Sequence, residues 1–404
     1  VAAIPLPSPL SGSQLPIEVA AGDDPHFAAM HALIQGYVDR GEMAGAVTLV
    51  ARGGRIADLA THGWADLAMR KQMQGDSLFR LASLTKIVTA VAVLTLYEDR
   101  RLQLDDPVEQ HLPEFRGMQV CVGGSAGNLQ LEPAHPITIR HLLTHTSGLA
   151  AGGGVRSTLE PIYGRATDRS SHDSMQDYTA NLAKLPLCNQ PGEAMYYGLS
   201  YEVLGRLVEV IAGQSLDVYV RDRICAPLRM PDTFFQIPVA KQSRLAQTYL
   251  HTKGQPLELR SLPKDAYCLG GPGGPRGSGG LVSTAGDFTR FLQMLLNHGE
   301  LDGVRILCAS TVQLMTTDQL KGVKFKNTFL APFESYGFGV SVRVSQAIAP
   351  TPRSAGQFGW TGAFTTWCSI DPKHGTIALL LCQHLPWNED GVFEKFATAL
   401  GPPR

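Results

Sequence analysis

The chain has 404 residues, 44% hydrophobic and only 18% charged, and its 35 basic and 36 acidic side chains leave a formal net charge of −1. Such a composition excludes a disordered or coiled-coil chain, and a balanced charge without basic runs argues against nucleic acid or an anionic membrane as partner. Apolar stretches break before the ~18 residues a spanning helix needs, so no membrane segment is expected.

Residues 1–24 are rich in Pro, Ala and Ser and hold no apolar signal core, so they read as an extended N-terminal segment. A cytoplasmic setting is expected, with export left open if Val1 follows a removed signal peptide. Phe27, Met30, Ile34, Tyr37 and Val38 recur at helical spacing and predict a helix over 25–40. Residues 46–51 and 56–60 flank Gly53-Gly54 and predict a β-hairpin. A short strand through Phe79-Arg80-Leu81 then delivers Ser83-Leu84-Thr85-Lys86 to the mouth of an apolar run, 87–97, that predicts a buried helix. Helical patterns dominate from there to about residue 235, among them 139–145 and 201–211. Residues 270–280 are too rich in Gly and Pro for regular structure and predict a loop near the cleft. A helix over 285–298 follows, then a strand over 336–342, a hairpin of 365–370 and 376–382, and a last helix over 392–400.

Strands therefore gather at the two ends of the chain. They predict a discontinuous α/β (α+β) domain, 25–82 plus 283–404, whose antiparallel sheet is packed by the N- and C-terminal helices. A mostly helical domain with loops, 83–282, is inserted into it, and the active site is expected between the two.

The chemistry is expected at Ser83. A serine hydroxyl is a poor nucleophile at neutral pH and needs a neighbouring base. A lysine three residues on in a helix lies on the same face, about 5–6 Å away between Cβ atoms. A second match, Ser261-Leu262-Pro263-Lys264, puts Pro263 where a helix would need a backbone donor, and no apolar run follows it. Gly123-Gly124-Ser125-Ala126-Gly127 fits G-x-S-x-G but lacks the strand before and helix after that this motif requires, so it reads as a flexible loop. His141 and His145 have the i, i+4 spacing of a zinc helix, yet Leu142 stands where the glutamate belongs, and His145 reads as structural. The seven cysteines are odd in number, widely spaced and form no C-x-x-C, which argues against a disulfide framework or a zinc finger. No metal and no cofactor is expected.

Three ordered segments resemble the serine β-lactamase and penicillin-binding-protein fold, and look closest to its esterase branch, the family VIII carboxylesterases related to class C β-lactamases. They are Ser83-Leu84-Thr85-Lys86, the stretch from Pro191-Gly192 through Tyr197-Gly198-Leu199 to Leu204-Gly205, and Trp360-Thr361-Gly362. Leu142–Leu149 and Gly279–Asp287 support the match, which spans about residues 25–400. The resemblance implies Ser83 as nucleophile, Lys86 and Tyr197 as its proton-handling partners, and an oxyanion hole from the backbone N–H groups of Ser83 and Ala363. Tyr197 is taken as base and then acid, tuned by Lys86, although sequence alone cannot assign the proton within a coupled pair. Trp360, Gly362 and Leu199 are the implied substrate-binding positions. Where the family has a lysine and an asparagine, this chain has Trp360 and Leu199, which strips polar recognition from the cleft. The expected activity is therefore hydrolysis of small, short-chain, uncharged esters. β-Lactam or D-Ala-peptide hydrolysis, and acyl transfer from the same acyl-enzyme, are the alternatives; the sequence sets no oligomeric state.

Overall fold

The computed structural model describes residues 25–125, 127–151, 158–166, 174–262, 267–323, 325–326, 335–342 and 354–401. The 1–24 segment, Pro263-Lys264 of the second S-x-x-K match and Ala126 lie outside the described residues.

An eight-stranded antiparallel sheet is assembled from both ends of the chain. The N-terminal part supplies helix α1 (Pro25–Asp39), then β1 (Gly45–Arg52), β2 (Arg55–Asp66) and β3 (Lys71–Gln72). Two short pieces, β4 (Phe79–Arg80) and β7 (Val282–Ser283), pair outside the large sheet, and the ribbon β5 (Gln119–Ser125) and β6 (Asn128–Pro133) lies between them in sequence. The C-terminal part supplies β8 (Ser335–Tyr336), β9 (Ser341–Val342), β10 (Phe358–Gly362), β11 (Thr366–Asp371) and β12 (Thr376–Cys382). The order across the sheet is β8-β9-β10-β11-β12-β1-β2-β3, so the last long strand pairs with the first, with Ala46 opposite Cys382 and Arg52 opposite Thr376.

Both faces of the central strands are buried, which is why they read as nearly unbroken apolar runs. Ala46 and Val50 of β1, with Ala378, Leu380 and Cys382 of β12, pack under α1 and the C-terminal helix α6 (Val392–Ala399). The alternate residues Val47, Leu49, Ile377, Leu379 and Leu381 face the main core. That period of two is the pleat itself. The main core holds α2 (Thr85–Glu98), whose residues from Thr85 to Leu96 are all buried, together with α4 (Ser200–Ala212) and α5 (Ala285–Leu296). Thr284 caps α5 by accepting from Asp287 N at 3.2 Å. Thr138 and His141 form a reciprocal capping box on α3 (Ile139–Leu143).

Two local expectations are corrected. The Gly123–Gly127 stretch, read from sequence as a flexible loop, belongs to the β5–β6 hairpin, Gly123, Gly124 and Ser125 lying on β5; the β6 residues are almost all exposed, so no apolar alternation marks them. The single strand expected over 336–342 is two short strands, because the chain turns at Gly339, whose φ of 80° favours glycine. Six of the seven cysteines are buried, and none forms a disulfide. No helix among the described residues is long and apolar enough to cross a membrane.

His62 on β2 couples this scaffold to acid. Burial, with the nearby His31 charge second, lowers its pKa to about 4. The folded state thus resists protonation, so the stability His62 contributes is complete above pH 6.5 and is lost as pH falls toward about 4. The loss should reach about 3 kcal/mol. Urea unfolding at pH 7.5 and pH 4 should show the wild type losing that much more than His62→Gln; equal losses would show that His62 does not set the acid limb.

Candidate active site

Ser83 is aimed by a strained turn. Leu81 N donates to Leu281 O at 2.9 Å, and Thr366 Oγ1 donates to Leu81 O at 3.0 Å, pinning the end of β4 from two sides. Ala82 then takes a left-handed φ of 48°, which a non-glycine residue adopts only when its surroundings impose it. A single 3₁₀ turn, Ala82–Leu84, carries Ser83 into α2. Gly362 at the end of β10 makes this close approach fit: a Cβ there would strike Thr366 Oγ1 and Leu81 O and come within 3.1 Å of Ala82 Cβ. Gly362→Ala is expected to displace the Ser83 turn and lower kcat/KM about 10²-fold, with a native far-UV spectrum. Unchanged kinetics would remove Gly362 from the site's architecture.

Lys86, 3% exposed, lies on the first turn of α2. Its Nζ is 3.0 Å from Ser83 Oγ and donates to the Ser278 carbonyl at 2.6 Å. The Gly/Pro segment expected near the cleft is thus part of the site. Thr89 Oγ1 donates to Gly277 O at 2.8 Å and Leu281 N donates to Thr85 Oγ1 at 3.1 Å, so α2 holds that segment along its length.

Tyr197 comes from more than 100 residues away and hydrogen-bonds Ser83. Burial pushes its phenol up to about 12, against the lowering effect of bonds to Ser83 and Trp360. At neutral pH the hydroxyl is therefore protonated. Lys86 Nζ sits 4.8 Å from the centre of its ring. Trp360 Nε1 donates to the Tyr197 hydroxyl at 3.1 Å, and the indole packs against Tyr197 and, edge-on, against Tyr336. His145 closes the cage, with its ring 4.6 Å from that of Tyr197. Burial keeps His145 neutral, and a positive charge on Lys86 acts in the same direction whenever the amine is protonated. Its Nδ1 accepts from Gly198 N at 3.3 Å. His141 faces elsewhere, with Nδ1 accepting from Thr138 N at 3.2 Å, so the two histidines do not converge. Among the described residues no group of His, Cys, Asp and Glu is arranged to hold a metal.

A cavity of about 450 Å³ opens over Ser83, with Lys86, Ala363, Phe364, Ser278 and Arg276 in its lining. Ala363 thus lines the same cavity as Ser83. Trp360 and Leu199 are buried, at 3% and 5% exposure, and neither lines this cavity. Trp360 holds the phenol instead of presenting a surface to a ligand. Sequence reasoning missed Glu202, Arg276 and Ser278. Glu202 is fully buried on α4; its Oε1 accepts from Ser278 Oγ at 2.6 Å and from Arg276 Nε at 3.3 Å. An acidic residue amid the apolar face of an amphipathic helix, five positions after Tyr197, was the available signal.

A serine hydroxyl between an amine and a protonated phenol, facing a cavity, is equipped for acyl transfer through a covalent intermediate. Fold and site together define the class: a serine hydrolase.

Residues 30–401 match the family model described as Beta-lactamase. EstB, an esterase of Burkholderia gladioli, is 32% identical over 358 residues, covering 84% of this chain and 86% of its own. Monacolin J acid methylbutanoyltransferase of Aspergillus terreus is 29% identical over 344 residues, 78% of this chain and 79% of its own. The solved structure of EstCE1, described as a hydrolase with promiscuous acyltransferase activity, superposes with a TM-score of 0.78 at 25% identity over 93% of this chain and 98% of that one. The chain belongs to the Beta-lactamase family.

Proposed function

We propose that this protein is a serine carboxylesterase that hydrolyses small, short-chain esters through an acyl-enzyme on Ser83. The observation carrying this reading is the convergence on Ser83 of Lys86 Nζ, 3.0 Å away, and of a Tyr197 hydroxyl fixed by the Trp360 indole. The esterase activity named for EstB supports it. Ser83 Oγ attacks the ester carbonyl, and the oxyanion is held by the N–H groups of Ser83 and Ala363. The serine proton passes to the Lys86 amine. The Tyr197 hydroxyl, raised to about 12 and so protonated, gives its proton to the leaving alkoxide and regains one from Lys86. This order moves first acceptance of the proton from the tyrosine, where the sequence reading put it, to the lysine. Water then takes the alcohol's place and the transfers run in reverse, releasing acid and free Ser83.

Trp360 stands where the family has a lysine, so that position offers no cation to attract a carboxylate, which supports uncharged esters over β-lactams. Turnover of p-nitrophenyl acetate, butyrate, octanoate and dodecanoate, set against nitrocefin, tests the preference. The expected result is a maximum at acetate or butyrate, with nitrocefin at least 10²-fold slower in kcat/KM; comparable nitrocefin turnover would reverse the ranking. A second reading, acyl transfer, is favoured by the transferase named for the Aspergillus relative. Added 1-butanol partitions the acyl group between water and alcohol, and butyl ester as the main product would establish transfer.

A further inference from the structure

His145 takes no part in the proton transfers above, yet it grips the reacting tyrosine from both sides. We propose that His145 is the positioning residue of Tyr197: its carbonyl and its Nδ1 hold the chain on either side of the phenol and so aim the hydroxyl at Ser83. This role deepens the esterase reading and rests on it for the proton that Tyr197 delivers; the grip itself stands on geometry.

His145 follows α3 by two residues and is fully buried. Its carbonyl accepts from Tyr196 N at 2.9 Å, and its Nδ1 accepts from Gly198 N at 3.3 Å. Those two donors belong to the immediate chain neighbours of Tyr197, so one residue ties down the backbone just before and just after it. The His145 ring also lies against the phenol, 4.6 Å between centres. At the far end, Trp360 Nε1 donates to the Tyr197 hydroxyl at 3.1 Å. The side chain is therefore held at its root by His145 and at its tip by Trp360. A general acid serves only an atom within hydrogen-bond reach, so where the hydroxyl is held decides whether it can act.

His145 is fixed in turn. Its N–H donates to Leu142 O at 3.2 Å, and Thr146 N donates to His141 O at 2.8 Å, which carries the last turn of α3 up to it. Tyr201, on α4, donates its hydroxyl to Leu143 O at 2.9 Å. Ala150 and Gly198 form a β-bridge, and a Cβ on Gly198 would lie only 2.6 Å from the Ala150 carbonyl carbon. The two segments thus pack as closely as their backbones allow.

Two features of His145 are costly for a residue that only fills space. Its φ of 57° is left-handed, a conformation a non-glycine residue keeps only when its surroundings impose it. An Nδ1 that accepts from a backbone N–H leaves the proton on Nε2, and that buried group has no hydrogen-bond partner among the described residues. An apolar side chain would avoid the second cost but would leave Gly198 N without its acceptor. Burial also keeps the ring neutral, as an acceptor must be. Asparagine is the substitution that preserves the grip, because its Oδ1 is two bonds from Cβ, as Nδ1 is, and it tolerates a left-handed backbone. Leucine offers no acceptor, and the amide of glutamine lies one bond further out.

His145→Leu and His145→Gln are each expected to lower kcat for p-nitrophenyl butyrate about 10- to 10²-fold with KM within about threefold, the scale of a misplaced catalytic group. His145→Asn should regain at least about fivefold of that loss. In a Tyr197→Phe background the leucine and glutamine changes should cost less than about threefold, because no hydroxyl is left to aim. Two acceptor-free variants guard against misfolding of either. Equal losses in both backgrounds, no loss with Tyr197 present, or an asparagine variant no better than the other two would each overturn the role. Crystal structures of the three variants read the aim without turnover. The Tyr197 hydroxyl should move out of hydrogen-bond reach of Trp360 Nε1 with leucine or glutamine and stay within reach with asparagine. A hydroxyl in place in all three overturns the positioning role whatever the kinetics show. A displaced hydroxyl, in a protein whose wild type turns over no ester, keeps that role and sinks the esterase reading.

Discussion

Ser83→Ala is expected to lower kcat for p-nitrophenyl butyrate by about 10⁴- to 10⁶-fold, the scale seen when a nucleophile is removed from a serine hydrolase. The change deletes one oxygen from a side chain at the cavity, so the fold should hold. The backbone turn is fixed by Leu81, Thr366 and Gly362, not by the hydroxyl. Intact-mass spectrometry completes the test. The wild type should gain one adduct from a fluorophosphonate, mapped to Ser83, and the variant none. Retained turnover in Ser83→Ala, or labelling at Ser125 or Ser261, would end the assignment, since those serines sit in the competing G-x-S-x-G and S-x-x-K matches.

Tyr197→Phe is expected to cost about 10²- to 10⁴-fold in kcat with little change in KM, the range for loss of one general acid–base group. That is about 3–5 kcal/mol of transition-state stabilisation. The phenylalanine ring keeps its packing on His145 and Trp360. The Trp360 N–H loses the acceptor it has at 3.1 Å, which should reduce stability by about 1–3 kcal/mol. The pH profile distinguishes the two orders of proton transfer. A phenol at about 12 remains an acid throughout the working range, so kcat should show no descending limb from Tyr197 between pH 7 and pH 10. If phenolate were the working base, kcat would instead climb tenfold per pH unit toward pH 10, because each unit raises the phenolate fraction tenfold. Such a climb, absent in Tyr197→Phe, would return the first proton transfer to the tyrosine.

The nucleophile and its lysine were readable because their relation is local. Three residues along a helix always place two side chains on one face, and the apolar run after Lys86 identifies that helix as buried. The same holds for β1 and β12, whose unbroken apolar runs announce strands covered on both faces. Where burial was partial the reading failed. The exposed β5–β6 ribbon carries no apolar period to detect; the strand read over 336–342 is buried at Tyr336, Phe338 and Val340 but is broken in two by the turn at Gly339.

The sequence by itself determined the order of the three motifs, the antiparallel sheet built from both termini and the pairing of Ser83 with Lys86. Only the tertiary structure decided that Tyr197 and Trp360, 163 residues apart, meet through one hydrogen bond, and that the indole serves the phenol rather than the cavity. It alone joined Glu202 to Arg276 across 74 residues and set Arg276 in the lining of the cavity that holds Ser83. Periodicity encodes which face of an element is buried. It does not encode which distant side chain shares that face, because that depends on the path of the whole chain, and both the phenol's raised pKa and the arginine's placement arise from those non-local neighbours.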